Sequence, residues 1–230
     1  PAPYHRDVLL TWASTITSTP GLENIKIGAP ETSYAKLGTY MDVFSPMQLD
    51  QVDWLNHHAY WWAKRSYATK YNKPTICSEL GEPAGHDNKD KAGNNIWHQT
   101  NMANAFAFFN KVSDMLADGE SGFVWWLMAT HNKPGEGLAI FGPDGITYPK
   151  RFYSMGNFSR FIRPGDYIVE SASGLGDNVR TTASVNPTTG SIALVVLNSG
   201  DTDLSPSISG FASHKVRVFR TSESEDLEEI

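Results

Sequence analysis

The sequence has almost no cysteine and no long apolar run, and each absence excludes a class of protein. Its single cysteine, Cys77, allows neither an internal disulfide nor a metal cluster built on several cysteines. No apolar stretch reaches the roughly 20 residues of a membrane-spanning helix. Basic runs are also missing, and 25 acidic against 19 basic residues give a net charge of -6. Neither a nucleic acid nor an anionic membrane surface is therefore the expected partner.

What the sequence does contain is a 40% hydrophobic fraction and 12% aromatic residues. A chain of 230 residues with this composition can bury a hydrophobic core. Aromatic side chains fill such cores, but several tryptophans here have polar neighbours, and flat rings of this kind also stack on sugars. Composition leaves both uses open.

Strand and helix patterns alternate through residues 1–162. Strands are predicted at residues 25–29, 54–60, 75–80 and 122–130, and helices at 4–17, 61–71, 102–116 and 150–161. Polar segments at 31–53, 81–95 and 131–149 are predicted as loops. Alternation of this kind is typical of parallel βαβ units, and four units are half of a (β/α)8 barrel. The predicted fold class is therefore α/β, with the second half of a TIM barrel as the first domain, residues 1–162.

The pattern changes after residue 162 to short strands separated by turns. These strands are predicted at residues 167–171, 179–185, 192–197 and 216–220. The second domain, residues 163–230, is predicted as an antiparallel β-sandwich. The last ten residues contain five acids and are expected to form a loop or a disordered tail.

Polar side chains stand where the predicted barrel strands end, which is where the chemistry of such a barrel collects. Glu79 ends an otherwise apolar strand, so its carboxylate is either a strand-end partner in an ion pair or a nucleophile for an anomeric carbon. His58 and Tyr60 share one face of the preceding strand by alternation. Glu31 and His131 end two further strands and are candidates for substrate binding.

Trp125 and Trp126 are neighbours, so one ring is expected to face the barrel interior as a sugar platform; the alternative is that both are core residues. A zinc site is not expected, because His57 and His58 point to opposite faces and no third ligand is suitably spaced. No cofactor-binding motif occurs in the sequence. Glu82 is a rival carboxylate, for which a binding or structural role is predicted.

Together these segments resemble the C-terminal part of clan A retaining glycoside hydrolases, most closely family 30, which includes glucuronoxylanases, β-1,6-glucanases and glucosylceramidases. Residues 27–31, 56–60, 77–79 and 123–126 are similar to the fifth to eighth barrel strands of that family. Residues 152–165 resemble the helix that leads into its β-sandwich. The resemblance implies that Glu79 is the nucleophile and Tyr60 its hydrogen-bond partner. It also implies that His58 lines a subsite and that Trp126 lies under the sugar.

One part of the family pattern is missing. The family's general acid/base is the Glu of an Asn-Glu-Pro run on the fourth strand, and that run does not occur in the 230 residues. We therefore expect that this chain is a longer polypeptide trimmed at its front. The N-terminal half of the same polypeptide, or a complementing chain, is expected to supply this residue.

The leading hypothesis is a secreted retaining β-glycosidase that cleaves a polysaccharide or glycoside by double displacement, without a cofactor or metal. The alternative is a non-catalytic carbohydrate-binding protein with a degenerate barrel. A third hypothesis, a Schiff-base aldolase, needs a lysine at a strand end, and none of the predicted strands has one.

Overall fold

The computed structural model describes residues 1–60, 67–81, 92–96, 99–131, 136–210 and 215–230. The chain divides into two compact units: Pro1–Ala84 with Asp118–Trp126, and Gly85–Ala117 with Leu127–Ile230. Both contain helices and strands, so the predicted α/β class is confirmed. The predicted domain boundary after residue 162 stays a prediction. No helix in the described ranges is both long and apolar enough to cross a membrane.

One long helix and several short helical segments contribute to the first unit, which has an apolar core. They are α1 (Ala2–Thr17), a 3-10 helix (Tyr34–Lys36), α2 (Leu37–Met41), α3 (Pro46–Leu49) and α4 (Tyr67–Tyr71). The core side chains are Ala29, Leu37, Met41, Phe44, Val52 and Leu55. The prediction of a loop over residues 31–53 is wrong, because helices of one turn are too short to show a 3.6-residue period. Of the predicted helix 61–71, residues 61–66 lie outside the described residues.

A parallel sheet of three strands supports the site described below. Its order is β1 (Leu55–His58), β2 (Thr75–Leu80) and β3 (Gly122–Trp125), and β2 has its predicted bounds. The described strands do not close into a barrel.

The predicted strand at residues 25–29 is not a regular strand. It makes one parallel bridge, between Gly28 and Trp54, and Asn56 N–H donates to the Ala29 carbonyl at 3.2 Å. Pro30 follows directly and has no N–H, so it cannot donate to a ladder. The segment nevertheless runs beside β1.

The apolar run at residues 122–130 is two strands rather than the one predicted. Trp126 N–H still bonds to the Leu80 carbonyl, at 2.7 Å, but Leu127 N–H bonds to the Glu136 carbonyl, at 3.1 Å, within the second unit. The second part, β4 (Ala129–His131), pairs with β5 (Ala139–Gly142), which forms a hairpin with β6 (Gly145–Thr147). The prediction that residues 131–149 are a loop is therefore wrong for this hairpin. Because residues 122–130 are mainly apolar, their sequence pattern does not show where the chain changes its strand partner.

Two helices and two antiparallel sheets complete the second unit. Helices α5 (Met102–Ala117) and α6 (Lys150–Ser159) agree closely with prediction, and the rings of Phe109 and Phe158 pack between them at 5.0 Å. One sheet contains β7 (Tyr167–Val169), β8 (Val179–Val185) and β9 (Ile192–Asn198).

The second antiparallel sheet pairs β10 (Phe219–Thr221) with β11 (Asp226–Glu229), so the expected loop or disordered tail is wrong. Its acids have partners: Arg217 binds Glu229 at 2.7 Å, and Arg220 binds Glu225. Composition alone does not show this pairing.

Candidate active site

A β-bulge shapes the C-terminal end of β2. His57 is paired with Cys77, but the next residue, His58, is paired with Glu79, so Ser78 is an extra residue in β2. Ser78 and Glu79 are consequently both half-buried, where regular alternation would separate them to opposite faces. The bulge brings two adjacent side chains to one side of the sheet.

Two carboxylates meet around one imidazole at this end of the sheet. His58 Nε2 lies 2.6 Å from Glu31 Oε1 and 3.6 Å from Glu79 Oε2. Ser78 Oγ donates to the same Glu31 oxygen at 2.5 Å, and the Tyr60 hydroxyl donates to Glu79 Oε1. Four residues predicted from the sequence are thus brought together, and Ser78 joins them.

The side chains of the cluster are partly exposed to solvent, and the strands beneath them are hydrogen-bonded beside the site. The exposed fraction of the side chain is 23% for Glu79, 28% for His58 and 53% for Glu31. Ala59 N–H donates to the Glu79 carbonyl at 3.0 Å, which joins β1 to β2 beside the site. A Cβ on Gly81 would lie 2.7 Å from Tyr60 Cε1, so glycine lets the chain pass the ring of Tyr60.

A second pair of ionisable residues lies buried in the same sheet. His57 Nε2 is 3.0 Å from Glu120 Oε1, and both side chains are inaccessible to solvent. The ring of Tyr34 packs edge-on against that of His57, with the centroids 4.6 Å apart. Alternation places His57 opposite His58, as predicted, but no sequence pattern pointed to Glu120 as its partner.

The contacts described above do not include the remaining predicted site residues. Trp125 is buried and Trp126, just after β3, is 46% exposed. His131 ends β4 in the second unit, and Glu82 lies outside the described residues. The roles predicted for Trp126 and His131 stay predictions. The described part of the chain contains no group of three or more His, Cys, Asp or Glu side chains that could hold a metal ion.

This arrangement suits nucleophilic attack by a carboxylate. One oxygen of Glu79 accepts a hydrogen bond from Tyr60, which fixes the orientation of the group. The other oxygen has no donor within hydrogen-bond distance among the described residues, and it faces an accessible cluster.

Solved structures with the same fold are glycoside hydrolases of family 30. A subfamily 8 xylanase from Clostridium acetobutylicum matches 100% of this chain and 54% of its own, with a TM-score of 0.72 and 19% identity. The resemblance to family 30 is confirmed at the level of the fold. The catalytic domain of xylanase C from Talaromyces cellulolyticus matches 98% of this chain and 50% of its own, at a TM-score of 0.73 and 20% identity.

A third match, a family 30 endoxylanase from Clostridium papyrosolvens, covers 97% of this chain and 54% of its own, with a TM-score of 0.67 and 19% identity. The chain therefore spans about half the length of the solved structures it matches. No protein-family model matches the sequence.

Proposed function

We propose that this chain is the C-terminal half of a retaining β-glycosidase of the family 30 type. The observation that carries the proposal is the carboxylate of Glu79, which accepts a hydrogen bond from Tyr60 on one oxygen and, among the described residues, has no donor within hydrogen-bond distance of the other, 3.6 Å from His58 Nε2. In this proposal, residues 1–162 are the second half of a (β/α)8 barrel and residues 163–230 belong to a β-sandwich. The parallel order of β1, β2 and β3 supports the barrel part.

The proposed reaction is a double displacement. An oxygen of Glu79 attacks the anomeric carbon while the bond from that carbon to the leaving oxygen breaks, and a general acid gives its proton to the leaving oxygen. The resulting ester between the sugar and Glu79 is then cleaved by water, whose proton returns to the same acid/base group. Retaining enzymes hold their two carboxyl groups about 5 to 5.5 Å apart. We assign the acid/base Glu to the N-terminal half of the polypeptide or to a complementing chain.

The proposed substrate is a β-linked polysaccharide or glycoside. Trp126 offers an exposed ring on which a sugar can stack, and we assign a further sugar contact to His131. The matched structures are named as xylanases, so xylan is the first polymer to test, followed by β-1,6-glucan. A polymeric substrate of this kind is met outside the cell, so we propose a secreted enzyme.

Covalent trapping tests the proposal without requiring the acid/base group. A dinitrophenyl 2-deoxy-2-fluoro-β-xylobioside has a leaving group that departs unprotonated, so only the nucleophile is needed for labelling. We expect the full gene product to gain the mass of one 2-deoxy-2-fluoro-xylobiosyl group on the peptide that contains Glu79, with dinitrophenolate released. Glu79→Gln should remain unlabelled and lose at least about 10⁴-fold in kcat/KM on xylan or on the glucan.

Glu23→Gln is the matched control, because it removes an exposed carboxylate of the same unit that bonds only to nearby backbone. This variant should be labelled like the wild type. Labelling at another carboxylate, or labelling of Glu79→Gln, would overturn the assignment. Binding of xylo-oligosaccharides without any labelling would favour the non-catalytic carbohydrate-binding protein.

A further inference from the structure

His58 lies between two carboxylates and is hydrogen-bonded to one of them. An ionised carboxylate accepts hydrogen bonds and cannot donate one, so the ring nitrogen 2.6 Å from Glu31 Oε1 carries a proton. The separation of 3.6 Å between the same nitrogen and Glu79 Oε2 is too long for a hydrogen bond. The N–H of His58 Nε2 is therefore directed to Glu31, which leaves Glu79 Oε2 without it.

Ser78 and the backbone hold Glu31 in the position that makes this possible. The Ser78 hydroxyl donates to the same oxygen of Glu31 that His58 contacts, and the bulge in β2 brings this hydroxyl to the cluster. The backbone N–H of His58 donates to the Thr32 carbonyl at 2.8 Å, so the chain just after Glu31 is fixed to the backbone of β1.

The competition matters because Glu79 needs a free oxygen for attack. Tyr60 already donates to Oε1, so an N–H donated to Oε2 would leave neither oxygen of the carboxylate without a hydrogen bond. A charge-assisted hydrogen bond of this kind stabilises the anion, and it would have to be broken as the new C–O bond forms.

We propose that Glu31 is a positioning residue that keeps the ring N–H of His58 directed away from Glu79, and that Ser78 holds Glu31 in place. This proposal rests on the proposed role of Glu79 as nucleophile. Glu31 thereby acts through His58 and does not need to touch the sugar. The competing explanation is the direct substrate contact predicted from the sequence.

A double-mutant comparison separates these explanations. Using the fluoro-xylobioside on the full gene product, we expect Glu31→Ala to lower the maximal trapping rate about tenfold with little change in the half-saturating concentration. Adding His58→Ala to Glu31→Ala should raise that rate again, because the ring N–H that the loss of Glu31 releases is then absent. Glu31→Gln retains an acceptor oxygen and should be intermediate.

Ser78 supplies a second matched pair of variants. Ser78→Ala should lower the trapping rate in the same direction as Glu31→Ala, whereas Ser78→Thr retains the hydroxyl and should restore it. A double variant Glu31→Ala/His58→Ala that is as slow as Glu31→Ala, or slower, would overturn the proposal. So would a weaker half-saturation with an unchanged maximal rate, which is the result expected for a substrate contact.

A crystal structure of the Glu31→Ala variant gives a readout that needs no activity. We expect His58 Nε2 to move to about 2.7 to 3.2 Å from Glu79 Oε2, and an unmoved imidazole would contradict the proposal. If the wild type itself is not labelled, the proposed action on xylan fails, and the position of His58 in this crystal still decides the positional claim.

Discussion

Two strand pairs in this chain show opposite solutions to sheet pairing. β8 and β9 pair antiparallel without a break from Val179 with Asn198 to Val185 with Ile192. β1 and β2 pair in parallel, and their first three residue pairs, which end with His57 and Cys77, are in regular register. The register then shifts, because Ser78 is inserted in β2. The regular pair keeps its register to both ends, whereas the bulged pair ends in the polar cluster.

The difference teaches how adjacent residues come to share one site. In a regular strand, neighbours point to opposite faces, so Ser78 and Glu79 could not both reach Glu31 and Tyr60. The bulge costs ladder hydrogen bonds locally, but it turns two consecutive polar side chains to the same side. Local irregularity is thus the structural cause of the cluster.

Deleting Ser78 should have the largest effect, because it converts the bulged pair into a regular one. The remaining residues of β2 would alternate between buried and half-buried without interruption, so the sheet should still fold. Glu79 is already paired with His58 and would keep that register, but the bulge that directs its side chain would be gone, and with it the hydrogen bond to Tyr60. We expect the trapping rate to fall more than about a hundredfold, with cooperative urea unfolding retained.

Deleting Thr182 from β8 is the corresponding control in the regular pair. Thr182 is buried and its hydroxyl contacts that of Ser113 at 2.7 Å. Its loss inverts the faces of the rest of the strand, so the second unit should lose its cooperative unfolding transition. If removal of Ser78 left the trapping rate unchanged, the bulge would not be what places Glu79.

Gly81→Ala should have the next largest effect, since it disturbs the tyrosine that holds Glu79. The added Cβ would lie 2.7 Å from Tyr60 Cε1 and 3.2 Å from the Trp126 carbonyl oxygen, so the ring has to move. We expect a trapping rate about tenfold lower. Gly122→Ala in β3 is the matched control, because its Cβ would meet no atom within 4 Å, and it should keep the wild-type rate. Equal rates for the two variants would show that the Tyr60 ring has room to spare.

Regular features of this fold could be predicted from the sequence, and changes of partner could not. The bounds of β2 follow from a short, mainly apolar segment and those of β8 from a short alternating segment between turn residues, and α5 follows from apolar side chains repeated every three or four residues. The break after Trp125 and the hairpin of β5 and β6 lie in segments whose composition suits either structure. Glu229 of β11 pairs with Arg217, an arginine that no local pattern selects.

The same limit applies to the site. Glu79, Tyr60 and His58 could be predicted because they follow apolar strands that end together in parallel packing. Ser78 was not predicted as a site residue, since alternation places it on the opposite face from Glu79 and a bulge has no signature in this segment. Glu120 was missed because its partner His57 is distant in sequence.

The smallest expected effect concerns the segment before Glu31, which forms no regular ladder with β1. The side chain of Asp53 holds this segment beside β1. Asp53 accepts hydrogen bonds from Lys26 at 2.9 Å and from Ile27 N–H at 2.7 Å, and these two interactions, Lys26 first, lower the pKa of its carboxyl group. A lowered folded-state pKa stabilises the fold above the unfolded value of about 3.9, and this stability is lost as the pH falls through the folded value. Asp53→Asn should therefore reduce the free energy of urea unfolding by less than about 1 kcal/mol at pH 7, with a difference that shrinks below about pH 4.

Asp50→Asn is the control, because it changes an exposed aspartate 4.0 Å from Lys73, and it should alter the free energy of unfolding neither at pH 7 nor at pH 3. A deficit of Asp53→Asn that is the same at pH 7 and pH 3 would mean that the segment is held by the backbone and not by this carboxylate.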